Sequence, residues 1–399
     1  MSTFELELGA NSVYYNIRNR KRKEKIMDFN FFMPVRIYSG KGAVKNNSNV
    51  FLRYGKVCGI VTGHSSAAKC GALDDLLSVL DKSGINCIIY DKITENPLIE
   101  SCHEAGKLFR ENGVDFIVGI GGGSPLDASK AIAIYAANET LSPTDIYLRK
   151  YENEPLPVLL IGTTAGTGSE VTGVSVLTND ETGRKKSISG ADCYAKAVFA
   201  DSTYTCSMPY NVTASTALDA LSHAVEGYFS KRYADMPELF AMKAIPMLWE
   251  CLKELDRTKS LPDEQMREKL YYGSLYAGMV LNQCGTLFPH PLGYVLTENY
   301  GIPHGKACAA FMGDLIDVGY LYESEKAEKL MRLMNTEKSE FCALVERLTD
   351  LPEITMTGEQ IENFCSRWDN NTPGNFVNTP NGFTKDDAEK VFRRKFGQK

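Results

Sequence analysis

Four side chains of this 399-residue chain have the types and spacing of a metal site. His290 and His304 stand fourteen positions apart in FPHPLGYVLTENYGIPHG, in a chain with only five histidines. Asp219 and His223 stand four positions apart in ALDALSHAVEGYF, so on a helix they share one face. One carboxylate and three imidazoles form a complete ligand shell for a divalent transition metal. Taken singly, each residue is more typical of a hydrogen-bonded structural or solvated side chain, so the prediction depends on the set.

Two glycine-rich segments have the composition of a phosphate-binding site. In GIGGGSPLDASKAIA, residues Gly121, Gly122 and Gly123 open into a predicted helix, whose first N–H groups attract an anion such as a pyrophosphate. Ser124 either caps that helix or bonds a phosphate. Residues 163–172, TTAGTGSEVT, interleave hydroxyl side chains with glycine, as a phosphate or ribose cradle requires. The first run alone also fits a plain tight turn, because it is not GxGxxG; together the two segments predict a dinucleotide site.

Alternating apolar runs and amphipathic segments predict the elements that position these residues. The pattern predicts strands at 56–62, 86–93, 114–123 and 156–166, with helices at 70–84, 99–113 and 124–138 between them. This alternation is typical of a parallel sheet with helices on both faces, whose ligands lie at the carboxyl ends of the strands. After about residue 205, long helical stretches replace the strands.

We therefore expect an α/β plus all-α fold. A Rossmann-like, parallel-sheet dinucleotide-binding domain is predicted at residues 27–204, and an all-helical metal-binding domain at residues 205–399. Residues 1–26, with the basic run RNRKRKEK, are expected to be a disordered leader. A solvated arm, a nucleic-acid-binding tract and a translation start at Met27 are the alternative explanations of this segment, and the start at Met27 is favoured.

Composition excludes several classes of partner. The formal net charge of −6 and the pI near 5.6 argue against binding to nucleic acid or to an anionic membrane surface. The eleven cysteines are odd in number and contain no CxxC pair, which favours a reducing compartment over a disulfide framework. The sequence therefore predicts a cytoplasmic protein whose partner is a small molecule.

The motifs resemble those of the iron-containing, group III alcohol dehydrogenase family from about Phe32 to near the C-terminus. The resemblance rests on GGGSPLDASK, TTAGTGSE, DSTYTCSMPYNVTASTALDALSHAVEGY and HPLGYVLTENYGIPHG. It implies a dehydroquinate synthase-like fold with the active site between the two domains, and Fe²⁺, or Zn²⁺ in some members, bound by Asp219, His223, His290 and His304. It also implies cofactor contacts at Asn96, Gly121, Gly122, Gly123, Ser124, Asp127, Thr163, Thr164, Thr167, Ser169 and Lys186.

The resemblance further implies a reaction. A metal-dependent NAD(P)(H) oxidoreductase would interconvert a small primary alcohol and its aldehyde by hydride transfer, with the metal as Lewis acid on the substrate oxygen. Members are often dimers or larger assemblies, so a homodimer or higher homo-oligomer is expected.

One departure from the family's commoner pattern concerns the substrate. Many members carry a second histidine four residues after the third ligand, and here that position is Tyr294. We predict that Tyr294 lines the substrate cleft as a catalytic group, although a phenol is a poorer base than imidazole near neutral pH. The alternative is a tyrosine that only anchors its helix to the core.

A second departure concerns the cofactor. Many NAD-using members have an aspartate directly after the strand that here reads VCGIVT, where it repels a 2′-phosphate. This chain has Gly63 at that position, followed by Ser65, Ser66 and Lys69. The sequence therefore favours NADP(H) over NAD(H), with Gly63, Ser65 and Ser66 in contact with the cofactor. A flexible turn that tolerates either cofactor is the alternative.

Two other functions are compatible with parts of the sequence. A carbon–oxygen lyase or cyclase of the dehydroquinate synthase type would share the fold, NAD and the metal, but it would need several basic residues around the metal, and the ligand loops are chiefly apolar. A catalytically silent nucleotide-binding module has no reason to keep all four ligands.

Overall fold

The computed structural model describes residues 29–398 of the chain. The predicted leader at residues 1–26 and the alternative start at Met27 lie outside the described residues. Within residues 29–398, none of the helices combines the length and the apolar character needed to cross a membrane.

A six-stranded, fully parallel sheet forms the centre of the N-terminal part. Its spatial order is β1-β8-β5-β4-β2-β3, and a separate antiparallel hairpin pairs β6 with β7. The strands are β1 (Arg36–Ser39), β2 (Val57–Gly63), β3 (Asn86–Ile93), β4 (Phe116–Gly121), β5 (Val158–Gly162), β6 (Val174–Thr178), β7 (Lys185–Ser189) and β8 (Ala197–Ala200).

Five helices of this part cover both faces of the sheet. Successive residues of β4 show the alternation: Ile117 packs into the core on one face, while Phe116 and Val118 pack into the core on the other. The helices are α1 (Ala43–Asn46), α2 (Ser66–Lys69), α3 (Ala72–Lys82), α4 (Ile99–Glu111) and α5 (Gly123–Ala137).

The C-terminal part of the described chain is helical. Helix α6, which is buried along nearly all of its length, lies at its centre. The helices are α6 (Tyr210–Phe229), α7 (Asp235–Thr258), α8 (Glu264–Cys284), α9 (Pro289–Tyr300), α10 (His304–Ala309), α11 (Met312–Tyr322), α12 (Ser324–Met334), α13 (Lys338–Thr349), α14 (Gly358–Cys365), α15 (Gly374–Asn378) and α16 (Lys385–Phe396).

The two parts share one apolar core. It includes Val198 of the sheet, Leu218 of α6 and Phe288 before α9, so apolar packing is continuous between the sheet part and the helical part. The predicted boundary between residues 204 and 205 falls in the 3₁₀ turn Ser202–Thr205, which follows β8, and the division into two domains stays a prediction.

The predicted fold class is confirmed. The four strands predicted from the sequence correspond to β2, β3, β4 and β5, and the intervening helices to α3, α4 and α5. The pattern does not predict β1, β8 or the hairpin. Strands β1 and β8 have only four residues each, and the hairpin strand β7 reads KKSIS, which is too polar to stand out as an apolar run.

Candidate metal centre and cofactor cleft

Each of the three histidines approaches Asp219, although the four residues come from three helices. Asp219 and His223 lie on adjacent turns of α6, His290 lies in the first turn of α9, and His304 begins α10. The Nε2 atoms of His223, His290 and His304 lie 3.7, 3.8 and 3.7 Å from Asp219 Oδ1. Distances of this size separate neighbouring ligands of one ion when each metal–ligand bond is about 2.0–2.2 Å. The geometry supports the predicted metal site, which stays a prediction.

The chemistry of these donor atoms fits a bound cation. Asp219 Oδ1 and His290 Nε2 are buried and have no hydrogen-bond partner among the described residues, a condition that costs roughly 1–3 kcal/mol for each group. Burial lowers the pKa of His223 to about 4 and lowers that of His304 as well, so both imidazoles are neutral at neutral pH. Burial acts to raise the pKa of Asp219, but the positive charge that the three histidines and Lys185 can carry outweighs it, and the pKa lies below its ordinary value. Asp219, His223 and His304 therefore have the charge states that a divalent metal requires, whereas Cys308 and Glu226 outweigh burial at His290 and raise its pKa well above the ordinary value, so a metal would displace that proton.

Glu226 holds His290 in the orientation that directs Nε2 toward Asp219. Nδ1 of His290 lies 2.6 Å from Glu226 Oε1, and Glu226 Oε2 accepts the N–H of Leu287 at 2.6 Å. A carboxylate that accepts the Nδ1 proton leaves the lone pair on Nε2 for a metal. The sequence analysis missed Glu226; its position seven residues after Asp219, two turns along the same face of α6, is the signal that could have identified it.

Glycine residues let the ligand helices approach each other. A Cβ at Gly305 would overlap the carbonyl group of Ser215 and would lie 2.9 Å from Asp219 Cβ. Gly301 ends α9 with a φ of +65°, a left-handed conformation that glycine adopts without strain. The PHG sequence therefore brings His304 against α6 through a close backbone contact.

Tyr294 lies one turn after His290 and packs beside the metal-site histidines. Its ring stacks on the imidazole of His304, with centroids 5.4 Å apart and an interplanar angle of 21°. Burial raises the pKa of Tyr294 well above its ordinary value, so the phenol stays protonated and can donate a hydrogen bond. Its predicted catalytic role is supported by this position and stays a prediction.

Two adjacent lysines of β7 point to opposite sides of the strand. Lys186 is exposed, and its ammonium lies 4.7 Å from the ring centroid of Tyr147. Lys185 points toward the metal-site residues: its ammonium lies 5.3 Å from the ring centroid of Tyr294, and burial lowers its pKa. The predicted cofactor contact of Lys186 gains no support from this orientation. The sequence analysis missed Lys185, because without a predicted strand the alternation of KKSIS could not be used.

The glycine turn and the threonine loop lie at neighbouring strand ends. β4 and β5 are paired up to Gly121 and Gly162, so the segments that follow them leave the same edge of the sheet. A Cβ at Gly122 would lie 3.0 Å from Thr164 Cγ2, and one at Gly123 would lie 2.7 Å from Thr167 Cγ2. Thr163 joins the two segments through its N–H, which donates to Gly121 O at 2.9 Å. The structure therefore brings these predicted cofactor residues together.

Ser124 does not cap α5. The N-cap is Gly122, and its helix has no side-chain cap hydrogen bond. The hydroxyl of Ser124 instead accepts the N–H of Asn96 at 3.2 Å, and Asn96 has a φ of +58°. The capping alternative was therefore wrong, and the contact places two predicted cofactor residues side by side at the sheet edge.

Asp127 and Ser169 bond mainly to other parts of the protein. Asp127 Oδ1 accepts the hydroxyl of Ser169 at 2.5 Å, and Oδ2 accepts the N–H of Val176 at 2.9 Å. The buried ammonium of Lys130 donates to Asp127 Oδ1 at 3.3 Å, to Ser169 Oγ at 2.9 Å and to the carbonyl groups of Ser169, Thr172 and Val174. This network fixes the threonine loop and the hairpin to α5. The sequence analysis missed Lys130, and cofactor contacts of Asp127 and Ser169 stay predictions.

The turn after β2 is open to solvent. β2 pairs with β4, so Gly63 leaves the sheet at the same edge as the glycine turn. Ser65 is the N-cap residue of α2, Ser66 is its first residue, and both are exposed. Lys69, at the end of α2, is exposed as well. No charged side chain follows β2 directly, and the contacts of Gly63, Ser65 and Ser66 with a cofactor stay predictions.

Comparison with known proteins agrees with the predicted family. Residues 34–202 match the family described as iron-containing alcohol dehydrogenase, and residues 213–394 match the C-terminal part of the Fe-containing alcohol dehydrogenase family. The chain is 30% identical over 308 residues to the lactaldehyde reductase of Escherichia coli strain K12, covering 75% of this chain and 78% of that protein. It is 34% identical over 272 residues to the 1,3-propanediol dehydrogenase of Klebsiella pneumoniae, covering 67% and 69% of the two chains.

Solved structures agree with these sequence relationships. An iron-containing alcohol dehydrogenase from Thermotoga maritima superimposes with a TM-score of 0.84 at 34% identity, over 92% of this chain and 99% of the other. A 1,3-propanediol oxidoreductase superimposes with a TM-score of 0.83 at 28% identity, over 92% and 100% of the two chains. The chain belongs to the iron-containing alcohol dehydrogenase family and is an alcohol/aldehyde oxidoreductase of that type.

Proposed function

We propose that the chain interconverts a small primary alcohol and its aldehyde by hydride transfer, with a nicotinamide cofactor and one Fe²⁺ or Zn²⁺ ion. The observation that carries the proposal is the convergence of three Nε2 atoms, 3.7, 3.8 and 3.7 Å away, on Asp219 Oδ1. Lactaldehyde reductase and 1,3-propanediol dehydrogenase are the names of two relatives, and both refer to short substrates.

In the proposed reaction, the metal ion, the nicotinamide and the residues around Asp219 have separate roles. A divalent ion supplies Lewis acidity toward the substrate oxygen, and the nicotinamide supplies or accepts the hydride. Asp219, His223, His290 and His304 would hold the ion, and the positive charge of the ion itself would favour the negative charge that develops on the substrate oxygen. Glu226 keeps His290 in the ligating orientation.

Tyr294 and Lys185 shape the substrate side of the cleft. Because the phenol of Tyr294 stays protonated, it donates a hydrogen bond to the substrate and does not act as a base at neutral pH. Lys185 adds a cation beside the Tyr294 ring, 5.3 Å from its centroid. Both side chains are half-buried, and their partial removal from water strengthens their electrostatic effect on the reacting oxygen.

In this proposal the carboxyl edge of the sheet would hold the cofactor. The N–H groups at the start of α5 and the turn of Gly122 and Gly123 would bind its pyrophosphate. The open turn after β2 would accept the adenosine ribose, and the absence of a carboxylate at Gly63 favours NADP(H) over NAD(H). The two relatives compared above are named as a reductase and a dehydrogenase, which favours an oxidoreductase over the lyase or cyclase alternative.

A metal-reconstitution assay tests the proposed function. The full chain is stripped with a chelator, reloaded with Fe²⁺ or Zn²⁺, and given NADPH or NADH with a panel of short aldehydes while the absorbance of the reduced nicotinamide is followed. We expect consumption of the cofactor only after reloading. Failure with every aldehyde, in protein shown by elemental analysis to hold one metal per chain, would refute the proposed reaction.

A histidine variant outside the centre provides the matched control. His103 lies on α4 and packs edge-on against Tyr135, with ring centroids 5.2 Å apart. The His103→Ala protein should regain metal and activity like the wild type.

The remaining proposals concern assembly and location. We propose a homodimer or larger homo-oligomer, which light scattering of the purified protein would check against a monomer mass of 44.2 kDa. A cytoplasmic location is supported by the eleven cysteines, all of which are free thiols in the structure. Copurification with nucleic acid or membranes would contradict the proposal of a small-molecule partner alone.

A further inference from the structure

A thiol that is not among the four ligands predicted from the sequence lies beside the metal centre. Cys308 lies one helical turn after His304, so the two side chains share one face of α10. Cys308 Sγ lies 3.6 Å from Nδ1 and 3.7 Å from Nε2 of His304, and the residue is fully buried.

This sulfur belongs to a compact set of possible metal donors. One donor atom each from Asp219, His290, His304 and Cys308 all lie within 4.8 Å of one another. Two of these atoms, Asp219 Oδ1 and His290 Nε2, are buried without a hydrogen-bond partner among the described residues. Carboxylate oxygen, imidazole nitrogen and thiolate sulfur are together the ligand types that proteins offer to Zn²⁺. The unpartnered atoms and the sulfur therefore face the same small volume.

The packing of α9 against α10 leaves room for this sulfur. A Cβ at Gly293 would lie only 2.8 Å from Cys308 Sγ, so any larger residue there would push the thiol away. Another buried thiol of the helical part has different surroundings: Cys284 Sγ faces the carbonyl oxygen of Arg232 at 3.9 Å. Cys308 is thus distinguished by its imidazole neighbours and by the glycine that accommodates it.

We propose that Cys308 supplies a sulfur donor to the metal ion held by Asp219 and the histidines. The thiol proton passes to solvent as the metal–sulfur bond forms. A sulfur donor favours Zn²⁺ over a harder ion such as Mn²⁺, so Cys308 makes the centre more selective than nitrogen and oxygen ligands alone would. This inference rests on the proposed metal-dependent function.

X-ray absorption spectroscopy of the Zn²⁺-loaded full chain tests the proposal directly. We expect a sulfur shell at about 2.3 Å in addition to nitrogen and oxygen shells at about 2.0–2.2 Å. The Cys308→Ser protein should lose the sulfur shell, and the Cys284→Ser protein, matched in burial, should keep it. A wild-type spectrum that nitrogen and oxygen ligands explain fully would overturn the sulfur assignment and leave the metal-dependent function standing. Failure of the protein to bind metal at all would overturn both.

A competition experiment adds a second readout that does not depend on activity. Wild type and the Cys308→Ala variant are equilibrated with Zn²⁺ and Mn²⁺ together, and the bound metals are measured after gel filtration. We expect the variant to lose preference for Zn²⁺ by about 10-fold or more, the scale on which changes at a metal site alter affinity. Circular dichroism establishes that the variant is folded. An unchanged Zn²⁺/Mn²⁺ ratio in the folded variant would contradict the proposal.

Discussion

The metal centre and the cofactor edge of the sheet are built in different ways. At the metal centre, donor atoms from α6, α9 and α10 converge. Two of them, Asp219 Oδ1 and His290 Nε2, lie 3.8 Å apart and have no hydrogen-bond partner among residues 29–398. At the cofactor edge, Asp127 and Ser169 bond to each other at 2.5 Å and to Lys130. At the metal centre, side-chain donor atoms are left available to bind a ligand. At the cofactor edge, several side chains instead bond to one another and hold the loops in place.

This difference shows which kind of change each region should tolerate. A metal ligand contributes its own atom, so its loss removes part of the site. A residue at the cofactor edge contributes space, backbone N–H groups or a weak electrostatic effect, so its replacement changes the affinity for the cofactor without removing the site. The predictions below test this division, beginning with the largest expected effect.

Replacing His304 by alanine should remove metal and activity together. His304 Nε2 is one of the three nitrogens around Asp219 Oδ1, at 3.7 Å, and Lewis acidity contributes several kcal/mol to catalysis. We expect kcat/KM to fall by about 10³-fold or more and the metal content to fall well below one per chain by elemental analysis. Full metal content in the folded His304→Ala protein would show that the ligand assignment is wrong.

Replacing Glu226 should weaken the metal centre without removing a ligand. In Glu226→Gln the side chain keeps one acceptor for His290 Nδ1 but can no longer also accept the N–H of Leu287, which it now does at 2.6 Å. We expect a loss of about 10–100-fold in metal affinity, measured by chelator competition, and a larger loss for Glu226→Ala. Glu254→Gln, on the exposed surface of α7, is the control. Equal affinities for Glu226→Gln, Glu226→Ala and wild type would limit Glu226 to packing.

The sequence identifies the metal ligands and the glycine turn, but it does not identify the residues whose roles depend on how helices and strands pack together. Asp219, His223, His290 and His304 can be identified because a ligand must have a particular side chain, and such residue types are scarce. Glu226 and Cys308 escape notice because their roles depend on which helix faces meet, and that depends on packing between α6, α9 and α10. Gly121 to Gly123 can be located because a strand-to-helix turn has a local signature, but the internal bonding of Asp127 depends on the hairpin, whose polar strand β7 gives no apolar pattern.

The two adjacent lysines of β7 provide a variant on the side of the strand that faces the metal centre and a matched control on the outer side. Lys185 is half-buried beside Tyr294, while Lys186 is exposed beside Tyr147. We expect Lys185→Gln to lower kcat/KM by about 10–30-fold, since a half-buried charge beside the reacting groups contributes roughly 1.5–2 kcal/mol. Lys186→Gln is the matched control and should change kcat/KM by less than about threefold. The reverse order would restore Lys186 as the cofactor lysine and would contradict the role given to Lys185.

Tyr294→Phe separates a catalytic hydroxyl from a packing ring. The phenyl ring can still stack on His304, where the centroids are now 5.4 Å apart, so the melting temperature should change little. Loss of one hydrogen bond to the substrate should lower kcat by up to about 10-fold. Because the pKa of Tyr294 is raised, the hydroxyl does not ionise in the working range, and the shape of the pH profile should be unchanged while its height falls. A variant with wild-type kcat would leave the tyrosine only its structural role.

The smallest expected effect concerns cofactor choice at the open turn after β2. We expect wild type to have a higher kcat/KM with NADPH than with NADH, because Gly63 presents no charge to a 2′-phosphate. In Gly63→Asp, a carboxylate about 4 Å from the phosphate in a solvated turn would repel it by about 1 kcal/mol, a shift of about fivefold toward NADH. The new Cβ would lie 3.2 Å from the carbonyl oxygen of Ile93, so part of any change could come from crowding. Gly63→Asn introduces the same crowding without the charge and should leave the NADPH/NADH ratio near that of wild type. If wild type prefers NADH, the NADP(H) assignment is wrong; if Asp and Asn shift the ratio equally, the turn discriminates by space and charge has no part in it.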